Sequence, residues 1–164
     1  MIQPYVKAAQ LGIVAGMRSM MAPALVSRQY ARTRPDHLTD SPLAFVTSPR
    51  ASTLFMVLAG GELIGDKLPQ TPNRTTPGSV TGRVSSGALC GAAVARAEGQ
   101  QLGLGALAGG LGALVSTFAF YQLRHWLTTE KNLPDVLVAL AEDALAVSAG
   151  LLVLRGDQPG TEST

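Results

Sequence analysis

The chain has little charge, few aromatic residues and one cysteine, and these scarcities exclude several classes of protein. Asp, Glu, Lys and Arg make up 15% of its 164 residues, whereas a soluble domain carries about 25%. The formal net charge of +2 is spread along the chain without a Lys/Arg cluster, which excludes a nucleic-acid partner. Cys90 is the single cysteine, so neither an internal disulfide nor a cysteine metal cluster can form.

Glycine and apolar residues, in contrast, are abundant, with 18 glycines and 46% hydrophobic residues. Six Gly-x-x-x-Gly spacings lie in or beside apolar stretches: Gly12/Gly16, Gly61/Gly65, Gly78/Gly82, Gly87/Gly91, Gly99/Gly103 and Gly105/Gly109. Glycine costs about 1 kcal/mol relative to alanine in a water-exposed helix, but in a bilayer it lets two helix backbones approach closely. The pattern predicts an all-α polytopic membrane protein, a compact bundle of about five glycine-rich transmembrane helices.

Five apolar blocks define the predicted spans. They run over Tyr5 to Ser27, Arg50 to Lys67, Ser79 to Ala95, Leu102 to Leu127 and Leu133 to Leu154. About 20 residues cross the hydrocarbon, so the first, fourth and fifth blocks are long enough and the other two are marginal. A re-entrant segment is the alternative for the third block. We expect one transmembrane domain over residues 1–155 and a disordered polar tail over residues 156–164.

The stretches between the blocks carry polar residues and prolines. Arg28 to Ser48 is predicted to be a polar loop. Ser48 followed by Pro49 is typical of a helix start, with a serine N-cap and a proline at the first helical position. Gln70 to Pro77 contains two prolines and is predicted to be extended.

The positive-inside rule does not fix the orientation. With the amino terminus outside, six Lys or Arg residues lie on each side of the membrane. The count becomes six inside against three outside when Lys67, Arg83 and Arg124 are assigned to helices rather than loops. We therefore favour an amino terminus outside and a carboxyl terminus inside, in a multi-pass protein of the cell's inner membrane.

The charges within or next to the predicted spans balance in sign. Four are basic and four are acidic: Arg18, Lys67, Arg83, Arg124, Glu62, Asp66, Glu142 and Asp143. A charge at the bilayer centre costs at least about 2.5–3.5 kcal/mol, and a buried carboxylate needs a partner or a proton. We expect these residues, together with Arg74, to form a charged core facing the glycine-lined interfaces. Residues near span ends, such as Lys67 and Arg124, have a simpler alternative, in which they snorkel to headgroups.

The order of these residues resembles a known family. The motifs are Gly16-Met-Arg-Ser with Pro23-Ala, Glu62-x-x-x-Asp-Lys67-x-Pro69-x-x-Pro72-x-Arg74, Gly82-Arg83-x-x-x-Gly87-Ala, Arg124 and Glu142-Asp143-Ala. From about Leu11 to Leu154 they look like the bacterial integral membrane proteins grouped as domain-of-unknown-function family 4126. The resemblance implies a small multi-pass helical membrane protein and carries no activity or catalytic residue.

The run Glu62-Leu-Ile-Gly65-Asp66-Lys67 invites a second comparison. It is similar to the Glu-x-Gly-Asp-Lys/Arg signature of a family of cation/proton exchangers. Two residues rather than one separate Glu62 from Gly65, and the chain has one copy where that family carries two. The likeness is an analogy, and it implies that Glu62 and Asp66 bind a cation.

The preferred functional hypothesis is binding or passage of a small ion or polar solute at a buried charged site. Glu62 and Asp66 bind a cation or proton in this hypothesis, and Glu142 and Asp143 form a second acidic pair. The basic side chains neutralise these acids or meet an anionic group; they are Arg18, Arg83 and Arg124.

Two other hypotheses remain open. In the first, the charges only fix helix packing, and the protein assembles with itself or with a partner in the membrane. In the second, the protein is an intramembrane enzyme on lipid headgroups, with Lys67, Arg74 and Arg83 holding phosphate and Glu62 or Asp66 acting as base or metal ligand. No lipid-enzyme motif is present, so the sequence favours a protein that is not an enzyme.

The two histidines do not indicate a metal site. His37 lies in a polar stretch, and His125 adjoins Trp126 at the end of a span, which is typical of an aromatic belt. Neither has carboxylate or cysteine companions at ligand spacing. No catalytic, metal or cofactor site is therefore predicted, and the expected partners are the lipid bilayer, a small ion or polar solute, and a second copy of the chain.

Overall fold

The computed structural model describes residues 2–65 and 75–155, in which helices are joined by turns and no strand occurs. The helices are α1 Gln3–Met17, α2 Met21–Thr33, α3 Asp36–Thr39, a 3-10 helix Ala44–Thr47, α4 Pro49–Gly65, α5 Pro77–Ala97, α6 Leu102–Thr129 and α7 Asp135–Arg155. The all-α prediction is confirmed for these residues. The predictions for Asp66, Lys67, Arg74, most of the stretch 70–77 and the tail 156–164 fall outside them.

Helices α1, α5 and α6 form the centre of the fold and pack against one another most extensively. They cross at glycines. A Cβ atom built on Gly12 or Gly87 would collide with the backbone carbonyl of Gly109, and one built on Gly91 would collide with that of Gly105. Only residues without a side chain allow these backbones to touch, so the glycines of three predicted pairs lie at helix crossings.

The other three glycine pairs do not make such contacts. A Cβ atom built on any of five glycines would meet no described atom within 4 Å; they are Gly61, Gly65, Gly78, Gly82 and Gly103. Gly99 lies in the turn between α5 and α6 with a φ of 69°, a left-handed conformation that glycine adopts at least cost. Among the described residues, these pairs therefore make no backbone contact between helices, although a Cβ atom on Gly99 would lie 3.2 Å from the His37 ring.

The first predicted span is two helices rather than one. α1 ends before Arg18, which is extended (φ −139°, ψ 110°), and α2 begins three residues later, at Met21. Pro23 provides the reason. In a continuous helix its ring would clash with the carbonyl of Ser19, four residues earlier, whereas in the first turn of α2 its missing N–H leaves no hydrogen bond unmade.

The segment predicted as a polar loop, from Arg28 to Ser48, is largely helical. α2 continues to Thr33, and α3 and the 3-10 helix follow. Tyr30, Leu38 and Val46 are buried, and the Ser27 hydroxyl donates a 2.7 Å hydrogen bond to the Val46 carbonyl. A few apolar side chains are sufficient to fold this polar segment back onto α2.

The later helices agree more closely with the sequence. The Ser48 hydroxyl accepts a 3.1 Å hydrogen bond from the N–H of Ala51, which confirms the predicted start of α4. The third block is one uninterrupted helix, α5, and whether it spans or re-enters the membrane stays a prediction. The fourth and fifth blocks form α6 and α7.

Two helices of the described chain, α6 and α7, are long and apolar enough to cross a membrane, judged by length and composition. The other predicted spans do not pass that test, so five spans are not established. α7 packs mainly against α1 and α2 and only slightly against α6, and α4 packs mainly against α2. Both α4 and α7 can therefore bring side chains to the interruption between α1 and α2.

Candidate functional site

The carboxylate of Glu62, on α4, binds the backbone where the first helix is interrupted. Its Oε1 accepts hydrogen bonds from the N–H of Ser19 at 2.8 Å and from the Ser19 hydroxyl at 2.9 Å. Its Oε2 accepts one from the N–H of Met20 at 2.8 Å. N–H groups at a helix start have no intrahelical acceptor, and the positive end of the helix dipole favours an anion there. Glu62 thus supplies acceptors that a continuous helix would have provided.

Arg18, the extended residue between α1 and α2, forms an ion pair with Asp143 of α7. Its Nε donates to Asp143 Oδ1 at 2.5 Å, and its Nη2 lies 2.5 Å from the same oxygen. The Arg18 side chain is 1% exposed and that of Asp143 is 14% exposed. Moving an ion from water into the protein interior costs several kcal/mol, so a buried ion needs a partner of opposite charge. The pair joins residues 125 positions apart in the sequence.

We call the group formed by Arg18, Ser19, Glu62 and Asp143 the break site. Ser19 follows Arg18 directly, so the ion pair and the Glu62 hydrogen bonds are at the same interruption. Among the residues that the structure describes, the site contains two carboxylates and one guanidinium, which together carry one net negative charge when ionised. Such a group attracts a proton or a small cation and disfavours an added anion.

A second charged group lies between α6 and α7. Arg124 donates from Nε to Asp135 Oδ1 at 2.8 Å and from Nη2 to Asp135 Oδ2 at 2.7 Å. Its Nη1 lies 3.9 Å from Glu142 Oε2. The Asp135 side chain is 62% exposed, whereas that of Glu142 is 5% exposed. The guanidinium therefore bridges a surface carboxylate and a buried one.

A cavity of about 250 Å³ adjoins this group. Its walls come from the carboxyl-terminal part of α6 and the first half of α7, with the turn between them, and are formed mainly by leucines and Phe120. Arg124 and Glu142 are the charged residues among the lining. The surface of this cavity is almost entirely apolar, and the Arg124–Glu142 pair lies at its wall.

Arg83 is buried on α5, and its Nη1 donates a hydrogen bond to the Ser79 hydroxyl one turn earlier. Three other predicted site residues, Asp66, Lys67 and Arg74, lie outside the described residues. Their part in a charged core stays a prediction.

The structure divides the predicted acidic pair on α7, since Asp143 contacts Arg18 and Glu142 lies near Arg124. Sequence reasoning did not find Asp135, although an acidic residue in the first turn of a helix is a recognisable signal. The sequence also did not predict that the backbone N–H groups of Ser19 and Met20 bind the Glu62 carboxylate. Every residue except proline has a backbone N–H, so residue type does not identify a free donor. The one available signal was Pro23, which indicates an interrupted helix near Ser19.

No group of three His, Cys, Asp or Glu side chains that could hold a metal ion occurs within residues 2–65 and 75–155. His125 instead stacks on Tyr121, with ring centroids 6.5 Å apart. The Lys131 ammonium lies 5.1 Å from the centroid of the Trp126 ring. The end of α6 thus carries aromatic and basic side chains, which suit a membrane–water interface.

Comparison with known proteins gives one match. The family profile described as a domain of unknown function, DUF4126, matches residues 6–156. This range includes the break site and the cavity between α6 and α7. Comparisons with curated proteins and with solved structures found no match.

Proposed function

The chain belongs to the family of the domain of unknown function DUF4126, and we propose that it is a multi-pass membrane protein that binds a proton or small cation at the break site. The family description names no activity, so the argument depends on the chemistry of the residues. The observation that carries it is the meeting of two carboxylates, Glu62 and Asp143, with the Arg18 guanidinium at one interruption of the described chain.

The membrane location is supported by the surfaces of α6 and α7. Length and apolar composition alone are weak support, because the core helix of a soluble protein passes the same test. In these two helices, however, only 33% and 28% of the most apolar window is buried. Many large apolar side chains of these two helices, and several of α4, are exposed, and such a surface is stable against lipid rather than water.

The full arrangement that we propose has five spans in the cell's inner membrane, with the amino terminus outside and the carboxyl terminus inside. α1 and α2 together form one interrupted span, and α4, α5, α6 and α7 form the others. Irregular backbone is tolerated at membrane depth where protein satisfies its polar groups, and Glu62 does this at Ser19 and Met20. Labelling of single cysteines placed in the α5–α6 and α6–α7 turns tests the topology, because these turns should lie on opposite sides.

Cation binding follows from the charge at the break site. Arg18 neutralises one of the two carboxylates, and the second carboxylate, Glu62, is held by neutral donors. Neutral donors stabilise a carboxylate but do not cancel its charge. A proton or a small cation would complete the neutralisation in a medium where a net charge is costly. Interrupted helices supply ion sites near the midplane in transporters, which agrees with this role.

The experiment reconstitutes the full chain in liposomes with a trapped pH-sensitive dye and imposes a Na⁺ or K⁺ gradient. We expect a cation-dependent pH change that Asp143→Asn and Glu62→Gln each abolish. Glu98→Gln is the matched control, because Glu98 forms an exposed ion pair with Lys7 at 2.8 Å, away from the interruption. Folded Asp143→Asn protein that exchanges cations like the unaltered chain would contradict the proposal.

A structural role is the second candidate, and the hydrogen bonding of Glu62 favours it. A carboxylate that accepts bonds from two backbone N–H groups and one hydroxyl is well suited to hold α4 against an interrupted helix. In that case the charges set helix packing, and the protein acts by assembly with itself or with a partner. Loss of stability in Glu62→Gln without any exchange activity in the unaltered chain would support this candidate.

A further inference from the structure

The cavity between α6 and α7 has no part in the function proposed for the break site. The two helices are joined by the short turn 130–134 and contact each other little, although each packs elsewhere in the fold. A space of about 250 Å³ remains between them. α6 and α7 are also the two helices of the described chain that are long and apolar enough to cross a bilayer. In the proposed membrane location, hydrocarbon therefore surrounds this space.

The wall of the cavity is apolar. Leucines line it from both helices. Arg124 and Glu142 also belong to the lining, but Arg124 Nη1 lies 3.9 Å from Glu142 Oε2, and among the described residues almost no polar surface faces the space. These two side chains therefore contribute mainly their aliphatic parts, as long charged side chains do at apolar surfaces. A strongly polar ligand would lose its hydration here without gaining a partner.

The opening and the size of the cavity limit what can occupy it. The lining residues Leu123, Leu137 and Leu145 are 45%, 59% and 51% exposed, so the space is open to the surroundings of the helices rather than enclosed. Its volume of about 250 Å³ is below the roughly 300–1,000 Å³ of pockets for drug-sized ligands. An α-helix, about 10–12 Å across with its side chains, is too wide to enter it. A slender apolar chain fits these limits.

One end of the cavity lies at a level suited to the membrane–water interface. Leu127 and Leu133 line it, and they follow Trp126 by one residue and Lys131 by two. The Lys131 ammonium lies 5.1 Å from the centroid of the Trp126 ring. Aromatic and basic side chains are typical of the headgroup level. A lipid with its headgroup at this level can extend a chain between α6 and α7.

We propose that this cavity binds one acyl chain of a bilayer phospholipid. The chain lies between the leucines of α6 and α7, and the headgroup stays at the level of the turn 130–134. The bound chain supplies packing that the two helices do not give each other. The inference rests on the proposed membrane location but on no residue of the break site. Loss of lipid binding and loss of cation exchange are therefore separate outcomes.

Trp126 is the single tryptophan of the chain, so its fluorescence reports on the cavity that begins at the next residue. The full chain, freed of lipid in detergent, is titrated with a phosphatidylcholine that carries bromine atoms on its acyl chains, because bromine quenches nearby tryptophans. We expect quenching that saturates at one lipid per chain and is reversed by unbrominated phosphatidylcholine. Quenching that rises with the lipid content of the micelle without saturating would overturn the proposal.

Variants that fill the cavity complete the test. Ala141→Phe places a ring in the space from an exposed position on α7 and should weaken lipid binding about tenfold or more, as expected for an overfilled site. Its control is Ala144→Phe, the same change at an exposed position of α7 outside the lining, which should bind as the unaltered chain does.

Val138→Phe fills the same space and replaces Ala141→Phe if that variant does not fold. Unchanged lipid binding in a folded filling variant would contradict the proposal. The mass of the protein in detergent, measured by light scattering, identifies the rival occupant. A dimer that the filling variants break, in a chain that binds no lipid, would assign the cavity to a side chain of a second copy and would likewise overturn it.

Discussion

Glu142 and Asp143 are neighbours on α7, yet they belong to different charged groups. Asp143 forms its ion pair with Arg18 at 2.5 Å, whereas Glu142 lies 3.9 Å from Arg124. Successive residues of an α-helix are rotated by about 100° because a turn holds 3.6 residues. One helix therefore presents one acid to the break site and the other to the cavity beside α6.

The Arg18–Asp143 pair should couple strongly in stability measurements. Asp143→Asn removes the carboxylate that lies 2.5 Å from the buried Arg18 guanidinium, and we expect a loss of about 3–5 kcal/mol in the free energy of unfolding. Arg18→Met alone should cost a similar amount. The double variant Arg18→Met/Asp143→Asn should lose less than the sum of the two single changes, because both changes remove the same ion pair. Thermal unfolding in detergent measures the cycle, and strict additivity would count against a direct ion pair.

The exposed Lys7–Glu98 pair is the control for this cycle. Its two atoms lie 2.8 Å apart, but both side chains are partly solvated. Solvent screening limits such pairs to about 0–1 kcal/mol. Lys7→Met and Glu98→Gln should therefore change the melting temperature much less than the changes at Arg18 and Asp143.

Removal of the Glu62 carboxylate should loosen the start of α2. Glu62→Ala deprives the N–H groups of Ser19 and Met20 of their acceptor, and loss of a cap of this kind costs about 0.5–2 kcal/mol. We expect faster amide hydrogen exchange at these two residues and unchanged exchange in α6. Protection that stays at its original level in Glu62→Ala would show that another group holds the interruption.

The glycines should divide into two classes on substitution. Gly109→Ala places a methyl group against the backbone of α5 at Gly87, so the helices must separate. We expect a loss of about 1–3 kcal/mol or more, typical of an overpacked core. Gly103→Ala meets no described atom within 4 Å and should be neutral, or stabilising by up to about 1 kcal/mol through helix propensity. Equal effects at both positions in thermal unfolding would contradict the crossing geometry.

Cys90 should report on the integrity of the central helices. Its side chain is buried on α5, so a membrane-permeant maleimide should label it only after unfolding. A cysteine introduced at exposed Gln101, just before α6, in a Cys90→Ala background should react at once. Rapid labelling of Cys90 in the folded protein would show that α5 is less closely covered than its burial indicates.

The helices and several of their ends were predictable from local chemistry. Ser48 followed by Pro49 predicts the start of α4 without reference to tertiary contacts, because the Ser48 cap accepts its hydrogen bond from Ala51 within one turn. The apolar runs that became α6 and α7 are helices for a similarly local reason, since an unbroken apolar stretch favours internal hydrogen bonding. Pro23 favours the interruption after α1 for a local reason as well. The acceptor for its backbone N–H groups, however, is Glu62, which is distant in the sequence.

The charged site was only partly predictable. The sequence indicates which residues are costly to bury, and so which of them need partners, as with Arg18 and Asp143. It does not indicate which partners they find. Arg124 contacts Asp135 more closely than Glu142, because the turn between α6 and α7 brings the first residue of α7 to the guanidinium.

The sequence by itself determined the helical class, the family and the set of glycines available for close packing, because these depend on composition and on residue order. Only the tertiary structure decided which glycines touch, with Gly12, Gly87 and Gly109 in contact and Gly61 facing no described atom. The tertiary structure also decided that Glu142 and Asp143 have different partners, Arg124 and Arg18. Helix crossings and rotations are set by the packing of the whole bundle, and a spacing rule within one helix carries no information about the helix that lies opposite.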